Sequence, residues 1–185
     1  MEIKTIGVIG AGPSGRAIAY LSALSGYRTI LEAVSQEFLE DGLASIRQLL
    51  DDAERKGSTV TAQQNADALA NLSTSRSVED VCREADLLIE AAQEEMEVKL
   101  EIFTIFDKFA KPAAILASSS HIIPIADLAE ITFRTENCIG LRFRDPLSPS
   151  GELELIQTRE TSELTLTTCI EVANRMRREV VVTRI

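Results

Sequence analysis

The sequence predicts an α/β fold: a doubly wound, mostly parallel sheet of about eight strands with helices on both faces. Three observations carry this. Short apolar runs alternate with helix-period segments along the chain, the pattern of strands covered on both sides. The first run, "IGVIG", passes straight into a glycine-rich turn and a helical stripe. An acidic residue, Glu32, closes the second run.

Taken in order, strands are expected at 3–9, 28–32, 72–75, 87–92, 114–118, 138–143, 153–157 and 180–182. The first helix carries the stripe Ala17, Ile18, Leu21 and Leu24 and stops at Gly26, which has the place of a C′ glycine. Leu39, Leu43, Ile46, Leu50 and Ala53 mark a longer amphipathic helix ending in "ERKG". Phe103, Phe106 and Ala110 mark a third, halted by Pro112, and Leu166, Ile170 and Ala173 a fourth. "DPLSPSGE" is the one turn-rich insertion. No linker or repeat interrupts the pattern, so residues 1–185 are expected to form one domain.

Composition excludes several functions. With 45% apolar and only 4% aromatic residues, Leu, Ile, Val and Ala must fill the core. A net charge of −10 argues against nucleic acid or an anionic membrane surface as partner. A phosphate-bearing cofactor is still allowed, because backbone N–H groups at a helix start hold phosphate without side-chain charge. Cys82, Cys138 and Cys169 form no CxxC pair, which reads as reduced thiols and no metal site. No apolar run reaches membrane-spanning length, and "MEIKTIGVIG" reads as a strand rather than a signal peptide. A soluble, cytoplasmic protein is the expectation.

The loop "GAGPSG" places Gly10, Gly12 and Gly15 between a strand and a helix, the context that gives this spacing meaning. Gly10 allows the tight turn, Gly12 a close approach of diphosphate, and Gly15 the packing of helix on strand, with Pro13 and Ser14 completing the loop. Glu32 lies 22 residues beyond Gly10, at the end of the strand "RTILE". An acid there accepts the ribose hydroxyls and repels a 2′-phosphate, which favours NAD over NADP. Together these features make the fold Rossmann-type. The same fingerprint occurs in FAD enzymes, which need further flavin-contacting segments, so that reading ranks below NAD.

The segments "IGVIGAGPSGRAIAYLSALSGYRTILEAV", "ADLLIEAAQEEMEVKLEIF", "AAILASSSHIIPIADLA", "NCIGLRFRDP" and "LELIQT" resemble, in order and spacing, the NAD-binding domain of 3-hydroxyacyl-CoA dehydrogenases. The resemblance runs from about Ile3 to Val182. It implies an eight-strand Rossmann-type unit and hydride transfer between NAD and a 3-hydroxyacyl-CoA. In that family a helical domain for dimerisation and substrate closure follows, and the chain stops where it would begin. The resemblance therefore implies a homodimer or a separate chain supplying that domain, with apolar surface left to self-associate. It assigns cofactor contacts to Glu94 and Lys99. Read without it, these two are an acid in a helix's first turn and a solvated lysine.

The chemistry positions depart from the family. Its "GLHFFNP" strand carries the His that takes the hydroxyl proton, and a Glu on the next strand orients it. Here the His position holds Arg142, the second Phe is Arg144, the Asn before Pro is Asp145, and Glu154 keeps the Glu. The family's serine that contacts substrate and cofactor becomes His121. Arginine stays protonated and cannot take a proton; at most it polarises a carbonyl oxygen. The expectation is an ion pair from Arg142 to Glu154 and to Asp145, with His121 a loop histidine or a relocated base. Three functions follow: a dehydrogenase of the hydroxyacyl-CoA type, a catalytically silent NAD-binding sensor or interaction module, and a reductase for another small 3-hydroxy acid held by Arg142 and Arg144.

Overall fold

The computed structural model describes residues 1–55, 60–148 and 151–185. The strands are β1 (Thr5–Ile9), β2 (Arg28–Glu32), β3 (Leu72–Ser75), β4 (Leu87–Glu90), β5 (Ile115–Ser118), β6 (Cys138–Arg144), β7 (Glu152–Gln157) and β8 (Glu179–Arg184). They form one eight-stranded sheet in the order β3-β2-β1-β4-β5-β6-β7-β8. Pairing is parallel throughout except between β6 and β7. All eight expected strands are present.

The helices among the described residues are α1 (Pro13–Leu24), α2 (Gln36–Arg55), α3 (Ala62–Asn71), α4 (Val78–Glu84), α5 (Met96–Phe109), α6 (Ile125–Ala129) and α7 (Glu163–Arg175). Strand alternation sorts them onto two faces. Ile6, Val8, Leu87 and Ile89 point one way and pack with Ile18 and Leu21 of α1, Ile46 and Leu50 of α2, Ala68 of α3 and Val172 of α7. Leu88 and Leu116 point the other way, onto Val81 of α4, Phe103 and Phe106 of α5 and Leu128 of α6. The expected close of the second helix at residues 56–57 and the loop residues 149–150 lie outside the described residues.

Local chemistry explains each helix end that matters for the site. Pro13 is at the first position of α1, where a missing N–H costs nothing. At its far end Gly26, at φ +80, closes the helix as its N–H bonds Ala23 O and the Tyr27 N–H bonds Ser22 O. Helices α3, α4 and α6 are additions to the pattern read from sequence. α3 and α6 bury few large side chains, and α4 only Val81 and Cys82. Their signals lay in caps instead: Thr61 and Gln64 form a reciprocal capping box, and Ser77 caps α4 through the Asp80 N–H.

Around β1 the connections diverge, β2 and β3 to one side and β4 to the other. The crevice at the carboxyl ends of β1 and β4 is therefore the switch point where such sheets bind ligands.

Candidate functional site

The glycine loop is pinned between two strand ends. The Gly10 N–H donates to Glu32 O at 3.0 Å, and the Ala91 N–H donates to Ile9 O at 2.8 Å. Gly10 has φ +108, and a Cβ there would lie 2.7 Å from Ala91 O. A Cβ on Gly15 would overlap Gly10 O, so α1 can approach β1 this closely only with glycine. Gly12 differs from both. Its φ is −70, and a Cβ would meet nothing within 4 Å. Its place is open, on the axis of α1, where orphan N–H groups and the helix dipole attract an anion. The loop thus fits a dinucleotide diphosphate.

Glu32 ends β2 beside this loop and is buried, only 4% exposed, unlike a surface acid. Burial pushes its carboxyl up to about 7; the Gly10 N–H opposes this and the charge of Glu79 reinforces it. A buried acid at a strand's carboxyl end is a waiting acceptor for hydroxyl donors.

A second polar centre lies across the crevice, at the ends of β4 and β5. Lys99 is 1% exposed rather than solvated. Its Nζ donates to Glu90 Oε1 at 2.7 Å and to Ala92 O at 3.4 Å, with Glu94 Oε2 at 3.7 Å. Glu90 was not singled out by sequence, although an acid closing the apolar run "LLIE" is the same signal that marked Glu32. Its carboxylate also accepts the Ala92 N–H and the Ser118 hydroxyl, each at 2.7 Å. Bonding to Ala92 turns the chain away after Glu90, which is why β4 stops short of residue 92. Glu94 precedes the α5 cap residue Glu95 and so is not in that helix's first turn. It accepts the Ser120 hydroxyl at 2.7 Å and the His121 N–H at 3.1 Å. Despite the cost of burial, those bonds and the nearby Lys99 charge hold its carboxyl below the usual range.

The third centre is the strand pair β6–β7. Register sets Arg142 opposite Glu154 and Arg144 opposite Glu152. Arg142 Nη1 donates to Glu154 Oε2 at 3.2 Å, while Nε and Nη2 reach the carbonyls of Ser120 and His121 at 3.5 and 3.4 Å. Arg144 Nη2 donates to the same Glu154 oxygen at 3.1 Å, and its Nε lies 3.2 Å from Glu152. The Thr183 hydroxyl of β8 donates to Glu154 Oε1 at 2.7 Å. That bond, ahead of the two arginines, holds the Glu154 carboxyl below its ordinary range against the cost of burial.

One expectation is corrected. The second partner of the Arg142–Glu154 pair is Arg144, and among the described residues no ion pair joins Arg142 to Asp145. Asp145 turns the chain at φ +46, its carbonyl accepting the Ser148 N–H, and the cation sensing its charge is Arg178. The left-handed turn carries Asp145 off the β6 ladder and out of reach of Arg142. His121 is exposed, and its imidazole bonds no other described residue; its backbone makes the contacts. No group of three or more His, Cys, Asp or Glu able to hold a metal occurs among the described residues. The three cysteines are buried and free.

Fold and loop together define a dinucleotide-binding α/β domain. Comparison with known proteins carries this further. The profile of the 3-hydroxyacyl-CoA dehydrogenase NAD-binding domain matches residues 5–185, and the chain belongs to that family. It is 35% identical over 181 residues to a 3-hydroxybutyryl-CoA dehydrogenase of Bradyrhizobium diazoefficiens, covering 97% of this chain and 61% of the relative. A probable 3-hydroxybutyryl-CoA dehydrogenase of Bacillus subtilis is 35% identical over 177 residues, covering 95% of this chain and 61% of the relative. The crystal structure of (S)-3-hydroxybutyryl-CoA dehydrogenase from Ralstonia eutropha superposes with a TM-score of 0.92 at 29% identity, covering 99% of this chain and 64% of that one. The chain thus spans about three fifths of the length of the curated relatives it matches. NAD is the cofactor of the family.

Proposed function

We propose that this chain holds NAD across the carboxyl ends of β1 and β4 and serves 3-hydroxyacyl-CoA chemistry with its own proton-transfer pair locked. The diphosphate lies on Gly10, Gly12, Pro13, Ser14 and Gly15, and the adenosine ribose bonds Glu32. Glu94, partly exposed, faces the cofactor. Lys99 already has its donors engaged and supports Glu94 from beneath. When bound, NAD supplies a hydride acceptor at its nicotinamide ring; the protein must manage the proton.

The clamp on Glu154 carries the reading. In the family pattern this glutamate orients the histidine that takes the substrate's proton. Here Arg142 occupies that position and stays charged, while Glu154 is consumed by two guanidiniums and a hydroxyl. Proton transfer to a positioned base is worth about 10²–10⁴ in rate, and neither partner of this pair accepts one. No described residue hydrogen-bonds the His121 imidazole, and the nearby Glu94 carboxylate is taken by the Ser120 hydroxyl and the His121 N–H. Arg142 and Arg144 are balanced by Glu152 and Glu154. The cluster therefore has no surplus charge for a free substrate carboxylate, which weighs against a reductase of small 3-hydroxy acids.

The substrate class is an acyl-CoA, and the setting is fatty acid metabolism in the cytoplasm. No helix among the described residues is long and apolar enough to cross a membrane. Ile122 and Leu147, exposed beyond the ends of β5 and β6, are apolar contacts for a second domain or a second copy of the chain.

Calorimetry with NAD, joined to an assay of NADH-dependent acetoacetyl-CoA reduction, tests this. Binding without turnover above a Gly12→Asp control is expected. Turnover that vanishes in His121→Ala would replace the reading with an enzyme whose base has moved.

A further inference from the structure

Arg16 follows the last glycine of the cofactor loop, and no part of the reading so far uses it. Its side chain folds back from α1 rather than extending into solvent. Nε donates to Ala11 O at 2.6 Å, a short, charge-assisted bond. Nη1 donates to the Ser45 hydroxyl of α2 at 2.9 Å, and that hydroxyl is itself held by Asp41 O at 2.8 Å. The guanidinium is therefore fixed at two points. Gly42 lies beside it: a Cβ there would press on Leu31 at 3.2 Å and make ordinary contact with Ala11 at 3.5 Å and Arg16 Nε at 3.8 Å.

What Arg16 grips is the peptide unit between Ala11 and Gly12. Among the described residues every peptide bond is trans, so the N–H of a unit points away from its C=O. With the Ala11 carbonyl drawn toward Arg16, the Gly12 N–H is turned to the opposite side. It has no acceptor among the described residues, and Gly12 itself is exposed. Pro13 has no N–H to offer, so the Gly12 donor counts for more in this loop than in one without proline.

We propose that Arg16 is the positioning residue of the cofactor loop: its guanidinium fixes the Ala11–Gly12 peptide so that the Gly12 N–H meets the diphosphate of bound NAD. It also brings a fixed positive charge to the loop in a chain whose net charge is −10. This rests on the proposed place of the diphosphate.

Calorimetric titration of NAD and of ADP-ribose into the whole chain and its variants tests it, with melting followed by circular dichroism. Arg16→Met should weaken both ligands roughly tenfold or more, in the same proportion, because they share the diphosphate. Arg16→Lys, which keeps the charge without the planar fork, should fall between. Ser45→Ala, which frees only the outer anchor, should lose least. The gap between parent and Arg16→Met should narrow in about 1 M salt, where charge is screened within a few ångströms; a packing defect would leave it unchanged. If Arg16→Met does not fold, Arg16→Lys carries the comparison. Affinities within about twofold of the parent for folded Arg16 variants overturn the assignment while leaving the loop's role intact. A parent chain that binds neither ligand takes both down.

Discussion

At the scale of single residues, burial and its relief decide what each charge can do. Glu32 has a folded value of about 7 against an ordinary 4.5. As pH rises from about 4.5 to about 7, the unfolded chain loses this proton before the folded one, so stability falls across that window and levels off above it. Glu32→Gln removes the effect. The variant should melt above the parent at pH 8 and alongside it at pH 4, read by circular dichroism. The same change should weaken NAD roughly tenfold or more, the worth of one hydrogen bond to a charged group. Arg142 and Arg144 give a second prediction. The double variant Arg142→His/Arg144→Phe frees Glu154 from both cations and restores a residue able to take a proton. NADH-dependent reduction of acetoacetyl-CoA should appear at about 10²-fold above the Gly12→Asp background that the parent does not exceed, measured as loss of NADH absorbance.

At the scale of elements, strands were legible because each reads as a compact apolar run, and the glycine loop because its spacing sits between strand and helix. Glu32 was visible as the acid closing a strand. Glu90 carries the same mark and was passed over, since nothing local distinguishes an acid facing a cofactor from one facing a buried lysine. Lys99 shows the limit from the other side. Only the fold of β4 against α5 reveals that its charge is enclosed. The Arg142–Glu154 pairing followed from the His–Glu pair of the family pattern, but the share of Arg144 depends on register, and the exclusion of Asp145 on one backbone angle. The glycine loop yields a prediction at this scale. Gly12→Asp fills open space and puts a negative charge at the anion site, so it should abolish NAD binding with little change in melting temperature. Gly15→Ala forces a methyl into Gly10 O; it should lower the melting temperature as well as affinity, since overpacking costs about 1–3 kcal/mol. Equal melting of the two variants would show that α1 and β1 separate more easily than the geometry implies.

At the scale of the molecule, the proposed cofactor place lies at the carboxyl edge of one sheet whose two faces pack independently. A cofactor spanning β1, β2 and β4 bonds elements whose side chains pack into both cores, so its binding should be felt by the whole fold. NAD at a hundred times its dissociation constant adds about 2.7 kcal/mol, which for a chain of this size raises the melting temperature by roughly 5–10 °C. Differential scanning calorimetry reads this directly, and Gly12→Asp should show no shift.

Thr183 reaches the same carboxylate as Arg142 and Arg144, so Glu154 works as a rivet through the last three strands. Its proton affinity is held low in the folded chain, which means that this fastening holds above the ordinary carboxylate range and is lost as acid titrates the folded group. The far corner of the sheet should therefore fray before the rest. As pH falls below the ordinary carboxylate range, β7 and β8 amides should lose hydrogen-exchange protection while β1 and β4 remain protected. In Glu154→Gln that early loosening should already be present at neutral pH.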